Sequence, residues 1–356
     1  MKFSLFVHME RSDPAKPHSE LVGELEELVL QAEEAGFETA WIGEHHGMEF
    51  TISPNPFINI AWLAAKTRRI RLGTGTIVAP FWHPIKLAGE AAMADVITGG
   101  RLDIGIARGA YAYEYQRLFP GLEAWGAGQR MREMVPAIRG LWDGDFELAG
   151  EFWSFPSTTS SPKPLQKPYP PIWVAARDPN SHDFAVSSKC NVQVTPLASG
   201  DGEVASLMER FNAACNVHPD VSRPEIMLLM HTFVAEDAAE ADRLAQDLSQ
   251  FYCQFGAWFQ NKKPVRQGIM EALTEDEIVA LPQYAPDKIR QNLVIGEADE
   301  VIARLKAYEA LGYDQYSIWI DSGLSHQRKK KSLQLFIDRV MPAFSGPKAG
   351  PKAGLR

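Results

Sequence analysis

Eight short, almost continuously apolar runs that alternate with helical periods predict an α/β fold, a (β/α)8 TIM barrel. The chain has 356 residues, 45% of them apolar and 23% charged. That is ordinary for packed protein, and the length accommodates one large barrel with insertions. A doubly wound open sheet with two lobes is the competing architecture. No Gly-x-Gly-x-x-Gly follows the first strand, which removes the usual support for a dinucleotide fold.

Residues 3–7 form the first apolar run, and a polar loop with Pro14 and Pro17 follows it. Leu21, Val22, Leu25, Leu28, Val29 and Ala32 then recur at three- and four-residue steps, so a helix is expected between a Ser19 cap and a Gly36 stop. Residues 39–42 are strand two, 57–66 a helix after Pro54 and Pro56, and 72–78 strand three. Residues 84–97 are helical until Gly99 and Gly100, 102–107 are strand four, and 130–142 are helical. Residues 144–171 are rich in proline and serine and read as a long loop with room for a hairpin. Strand five (172–175), a helix (181–188), strand six (192–195), a helix (203–216) and strand seven (226–234) follow. A helix over 237–255 leads to an irregular stretch, 260–292, and then come a helix (298–311), strand eight (315–320) and a last helix (326–341). The overlong connections are insertions after strands four and seven. We read residues 1–344 as one barrel domain and 345–356, which repeat Gly-Pro-Lys-Ala-Gly, as a disordered tail.

The formal charge of −9 gives no basic field to hold nucleic acid. No run approaches the ~18 apolar residues of a membrane span, and no secretory signal precedes the first strand. Cys190, Cys215 and Cys253 are odd in number and far apart, which points away from disulfides and toward the cytoplasm.

In such a barrel the reactive groups stand at the carboxyl ends of the strands. Those ends carry His8, Glu44-His45-His46, Gly73-Thr74-Gly75-Thr76, Arg108, Arg177-Asp178, Thr195 and Asp321. Paired imidazoles beside a carboxylate can bind metal, relay protons or hydrogen-bond a ligand; they can equally satisfy backbone carbonyls. Metal would need partners such as His8, His231 or Asp321, and no metal is expected. The glycines of strand three mark a tolerated bend or a close approach of backbone to ligand. Arg108 needs an anion, either a carboxylate or a ligand phosphate. Asn180 or Ser181 could cap the next helix, whose free N–H groups suit a phosphate. The aromatic run Tyr111, Tyr113, Tyr115 and Phe119 has partial period two and reads as packing or a loop cover.

Gly36-Phe37, then Trp41-Ile42-Gly43-Glu44-His45-His46, Asn55-Pro56-Phe57, Leu72-Gly73-Thr74, His83-Pro84, Gly99-Gly100-Arg101 and Arg108-Gly109 resemble the bacterial luciferase-like flavin monooxygenases. The resemblance implies the oxygenase of a two-component system. Reduced FMN comes from a separate reductase, and one atom of O2 enters a small organic substrate through a C4a-(hydro)peroxyflavin. It implies His45 and Glu44 as catalytic residues. It implies FMN contacts at Gly75, Thr76, Arg108, Arg130, Ala176, Arg177, Asp178 and Ser181, with a non-proline cis peptide at Gly75-Thr76. Ala107 stands where luciferase has a reactive cysteine, so no thiol takes part. The long segment after strand seven, around Trp258 to Leu281, could cover the site. A homodimer is expected on the helices at 57–66 and after Pro84. The alternatives are a deazaflavin (F420)-dependent oxidoreductase and a non-catalytic flavin-binding subunit.

Overall fold

The computed structural model describes residues 1–11 and 13–344; the expected tail lies outside the described residues. Its eight barrel strands are β1 (Lys2–Val7), β2 (Thr39–Ile42), β3 (Arg71–Val78), β4 (Leu102–Ala107), β7 (Ile172–Ala175), β8 (Asn191–Val194), β9 (Ile226–Val234) and β13 (Gln315–Trp319). They pair in parallel in that order, and β13 returns to β1 to close the barrel. The gaps in numbering belong to three pieces outside the ring. A hairpin, β5 (Phe146–Ala149) and β6 (Ser154–Thr158), lies in the first insertion. A second hairpin, β10 (Val265–Arg266) and β11 (Ile269–Met270), and the strand β12 (Val294–Gly296), which pairs with the end of β9, lie in the insertion after strand seven. Strands such as β2 and β13 are buried along their whole length, the polar Thr39, Gln315 and Ser317 included.

The helices are α1 (His18–Ala35), α2 (Pro56–Lys66), α3 (Pro84–Thr98), α4 (Ala112–Leu118), α5 (Ala124–Asp143), α6 (Pro179–Ser187), α7 (Gly200–Val217), α8 (Ala238–Gln260), α9 (Glu275–Val279), α10 (Pro286–Asn292), α11 (Ala298–Leu311) and α12 (His326–Leu335). Three start on a side-chain cap followed by proline: Asn55-Pro56, His83-Pro84 and Asp178-Pro179. Several expectations need adjusting. Ser19 lies inside α1, because Pro17 already occupies the N-cap position. Asp178, not Asn180 or Ser181, caps α6. The helix expected at 130 begins at Ala124, six residues earlier. The tyrosine run, which reads as period two, forms α4. The stretch 260–292 contains the second hairpin, α9 and α10.

One glycine of strand three is explained by packing. A Cβ at Gly73 would stand 2.3 Å from the Trp41 ring. The register between β3 and β4 shifts between Thr74 and Ile77, and within that irregularity the Gly75–Thr76 peptide is cis.

Candidate active site

The carboxyl ends of the strands surround a cavity of about 710 Å³, well within the range of small-molecule and cofactor sites. Glu44, His45, Gly75, Thr76, Arg108, Ala176, Arg177, Asp178 and Ser181 all contribute to its wall. Arg130 does not. Its guanidinium packs over Phe119 at 4.4 Å and Phe152 at 4.6 Å, tying α5 to the loop after α4 and to the β5–β6 turn. Arg132, two residues on, faces the cavity instead.

The mouth of the cavity is cationic. Arg108 donates only to the Ala124 carbonyl, at 3.4 Å, and Arg132 only to the Asn180 carbonyl, at 3.3 Å, among the described residues. Arg177 lies 4.0 Å from Glu203, which Arg210 engages more closely at 3.0 Å. These guanidinium groups are therefore free to meet an anion. Asp178 accepts from the Ser181 N–H at 3.1 Å. Burial opposes its charge, but the backbone N–H groups of α6 outweigh burial and hold its carboxyl below the usual range.

Behind the mouth, the Glu-His-His triplet separates into two pairs. Glu44 is 1% exposed. It accepts from the Val78 N–H at 2.9 Å, from the Trp82 indole at 2.9 Å, and from His46 Nε2–H at 2.8 Å. Burial works against the charged form of His46, but Glu44 outweighs it and raises the imidazole above its ordinary value. His45 does not pair with Glu44. Its Nδ1–H donates to Glu114 Oε2 at 3.0 Å, while Glu114 Oε1 accepts from the His46 N–H at 2.7 Å. Glu114 sits on α4, 69 residues from His45, and only the fold brings the two together.

The inner end is aromatic with a few polar atoms. Phe255 comes from α8, Tyr111 precedes α4, and Trp319 ends β13, all three buried; Phe259, also on α8, lines the cavity but is 41% exposed and stands at its rim. His45 stands 4.8 Å from His8 and 5.0 Å from Tyr111, ring centre to ring centre. Behind Trp319, His231 stacks at 4.1 Å and meets the Tyr252 hydroxyl at 2.8 Å. Burial depresses its imidazole to about 3. Of the segment expected to cover the site, Phe259 lines the cavity. Trp258 packs on Tyr113, and the turn of the β10–β11 hairpin accepts the Glu49 N–H at Gly268, at 2.8 Å. Phe255, however, lies N-terminal to the expected segment. Among the described residues no group of three or more His, Cys, Asp or Glu side chains could hold a metal ion, and no helix is long and apolar enough to cross a membrane.

Residues 1–315 match the family model described as luciferase-like monooxygenase. The chain is 61% identical over 348 residues, 98% of its length and 97% of the relative's, to the oxygenase component of a flavin-dependent trigonelline monooxygenase from Acinetobacter baylyi. Among solved structures, a monooxygenase from Streptomyces bottropensis superposes with a TM-score of 0.80 at 27% identity, covering 97% of this chain and 100% of that one. The oxygenating constituent of 3,6-diketocamphane monooxygenase from Pseudomonas putida, in complex with FMN, gives 0.76 at 19% identity, covering 96% and 98%, a likeness of fold.

Proposed function

Because the chain belongs to the luciferase-like monooxygenase family and is the oxygenase component of a flavin-dependent monooxygenase, we propose that it takes reduced FMN from a separate reductase and oxygenates a small zwitterionic N-heteroaromatic of the trigonelline type. The observation that carries this reading is the gradient within one cavity, from a cationic mouth to an aromatic inner end. The substrate class draws on the 61% identical relative. Identity of that order over the whole chain favours an active oxygenase over the deazaflavin alternative and over a non-catalytic subunit.

The residues present fit FMN. Arg108, Arg132 and Arg177, with the Ser181 hydroxyl, would hold the phosphate, and Gly75, Thr76 and Ala176 belong to the wall against which the ring would lie. Reduced FMN supplies two electrons and activates dioxygen; one oxygen atom goes to the substrate and the other leaves as water. The chain's own part is to exclude water and manage protons. Phe255 and Trp319 keep the inner end apolar. Glu114 keeps a His45 proton on Nδ1, which leaves Nε2 on the cavity side to take up and return a proton. Glu44, its oxygens already taken by three donors, acts by fixing the His45 loop to β3 rather than as a free base.

The same reading extends to assembly. Ile58 and Trp62 on α2, with Met93, Val96 and Ile97 on α3, are exposed on neighbouring helices and form the contact of a homodimer. The separate thiols of Cys190, Cys215 and Cys253 suit the cytoplasm. Anaerobic titration tests the cofactor: reduced FMN should bind at least about tenfold tighter than oxidised FMN. Equal affinity for both forms, or a preference for FAD, would overturn the two-component reading.

A further inference from the structure

His8 has no part in the scheme above, yet it is built into the cavity wall. A Cβ at Gly43 would stand 2.6 Å from His8 Cδ2, so the loop after β2 needs glycine to leave the imidazole its room. Two groups meet its Nδ1: Glu10 Oε1 at 3.2 Å and Thr51 Oγ1 at 3.2 Å. Thr51 makes no other side-chain hydrogen bond among the described residues, and His8 Nε2 has no partner there.

The state of Glu10 decides which nitrogen carries the proton. Glu10 is 5% exposed, and its Oε2 is buried without a partner. An ionised carboxylate with one bare oxygen is costly in the interior. A carboxylic acid that donates its one proton to Nδ1 leaves bare only a carbonyl oxygen, which costs far less. Burial, reinforced by Asp321, pushes the Glu10 carboxyl well above its usual range, and Lys329 and the neighbouring Trp319 indole oppose this only in part. Burial also holds the His8 imidazole neutral, with His45 and His231 adding to the effect. Glu10 therefore donates to the single lone pair of Nδ1, with the Thr51 hydroxyl beside it, and the ring's own proton sits on Nε2, toward the cavity.

A second donor stands on the other side of His45. Tyr111 is 2% exposed, and its hydroxyl has no hydrogen-bond partner among the described residues. Its ring lies 4.9 Å from Phe259. His8 and Tyr111 thus flank His45 with two unpaired donors at the edge of an aromatic wall.

We propose that His8 Nε2–H and the Tyr111 hydroxyl form a carboxylate subsite, which grips the acid group of a heteroaromatic carboxylate beside His45, and that Glu10 is the positioning residue that sets the His8 tautomer. The inference rests on the substrate class proposed above and adds the residues that recognise it. An aromatic acid docked there would turn its ring toward Phe255, Phe259 and Trp319.

The test is anaerobic calorimetry on protein saturated with reduced FMN. The probes are trigonelline (the N-methylpyridinium 3-carboxylate) and N-methylpyridinium, the same ring without the acid. Wild type should favour trigonelline about ten- to a hundredfold, as expected of hydrogen bonds to a charged group. His8→Ala, or His8→Phe if the cavity destabilises the fold, should cut that preference about tenfold or more while leaving reduced-FMN affinity within about twofold. Glu10→Gln, whose amide can also donate to Nδ1, should keep the preference, and Glu10→Leu should weaken it. A preference unchanged in the His8 variants overturns the subsite, and a Glu10→Gln that behaves like His8→Ala overturns the assigned tautomer. If wild type binds both probes equally, the substrate class stands and the carboxylate subsite falls. If it binds reduced FMN but neither probe, the substrate class fails and the subsite fails with it.

Discussion

Replacing Glu114 by glutamine reverses one hydrogen bond and removes a buried carboxylate that also favours the charged form of His46. Glu114 is 1% exposed and accepts two hydrogen bonds, from His45 Nδ1–H at 3.0 Å and from the His46 N–H at 2.7 Å. In Glu114→Gln the amide oxygen can still accept from His46. The amide nitrogen then faces Nδ1 and donates, so a neutral His45 must carry its proton on Nε2. That removes the acceptor the cavity needs. A hydrogen bond to a charged group contributes about 1.5–3 kcal/mol, so reversing this one lowers the population of the working tautomer on the order of ten- to a hundredfold. The expected result is a folded protein with unchanged affinity for reduced FMN. Product formed per oxygen consumed should fall by roughly that factor, with hydrogen peroxide taking up the difference, in assays with a flavin reductase and trigonelline. Full coupling in Glu114→Gln would refute the role given to the His45–Glu114 pair.

Other outcomes follow from the same geometry. Arg108→Ala and Arg132→Ala should each weaken reduced-FMN binding about ten- to a hundredfold, whereas Arg130→Met should leave it within about threefold and lower the melting temperature instead; equal losses at Arg130 and Arg132 in fluorescence titration would contradict the cavity wall described. His231 stays neutral in the fold, with its imidazole depressed to about 3, but ionises below about 6.5 once unfolded. The unfolded state therefore takes up the proton first, and stability falls as pH drops from about 6.5 toward 3, by roughly 2 kcal/mol at pH 5 from this residue. Urea unfolding at pH 7.5 and pH 5 should show that loss in wild type and a smaller one in His231→Phe, and an identical loss in both counts against the assignment. Ile58→Asp, on the exposed face of α2, should convert a sedimenting dimer to a 39.6 kDa monomer, and a wild type that already sediments as monomer removes the proposed contact.

The barrel was legible because its strands are buried on both faces: runs such as residues 40–42 and 172–175 have nothing polar enough to suggest a surface. The strand ends then pointed to His45, Arg108 and Arg177 without any knowledge of their contacts. What stayed hidden was mostly partnership at long range. His45 has a carboxylate next to it in sequence, Glu44, yet Glu44 turns to Trp82 and β3, and the carboxylate that meets His45 arrives from α4. The short helix α4 was itself hidden, because Tyr111, Tyr113 and Tyr115 imitate the period of a strand. Arg130 and Arg132 differ by two residues, about 200° around a helix. Once α5 begins at Ala124, that rotation puts Arg132 at the cavity and Arg130 among Phe119 and Phe152.

A single turnover under labelled oxygen tests the central claim most directly. Protein loaded anaerobically with reduced FMN and trigonelline, then mixed with 18O2 in ordinary water, should yield an oxygenated product carrying one 18O atom per flavin oxidised, with little hydrogen peroxide. Flavin oxidised at the same rate with all the label in hydrogen peroxide, or a product whose new oxygen comes from water, would contradict it.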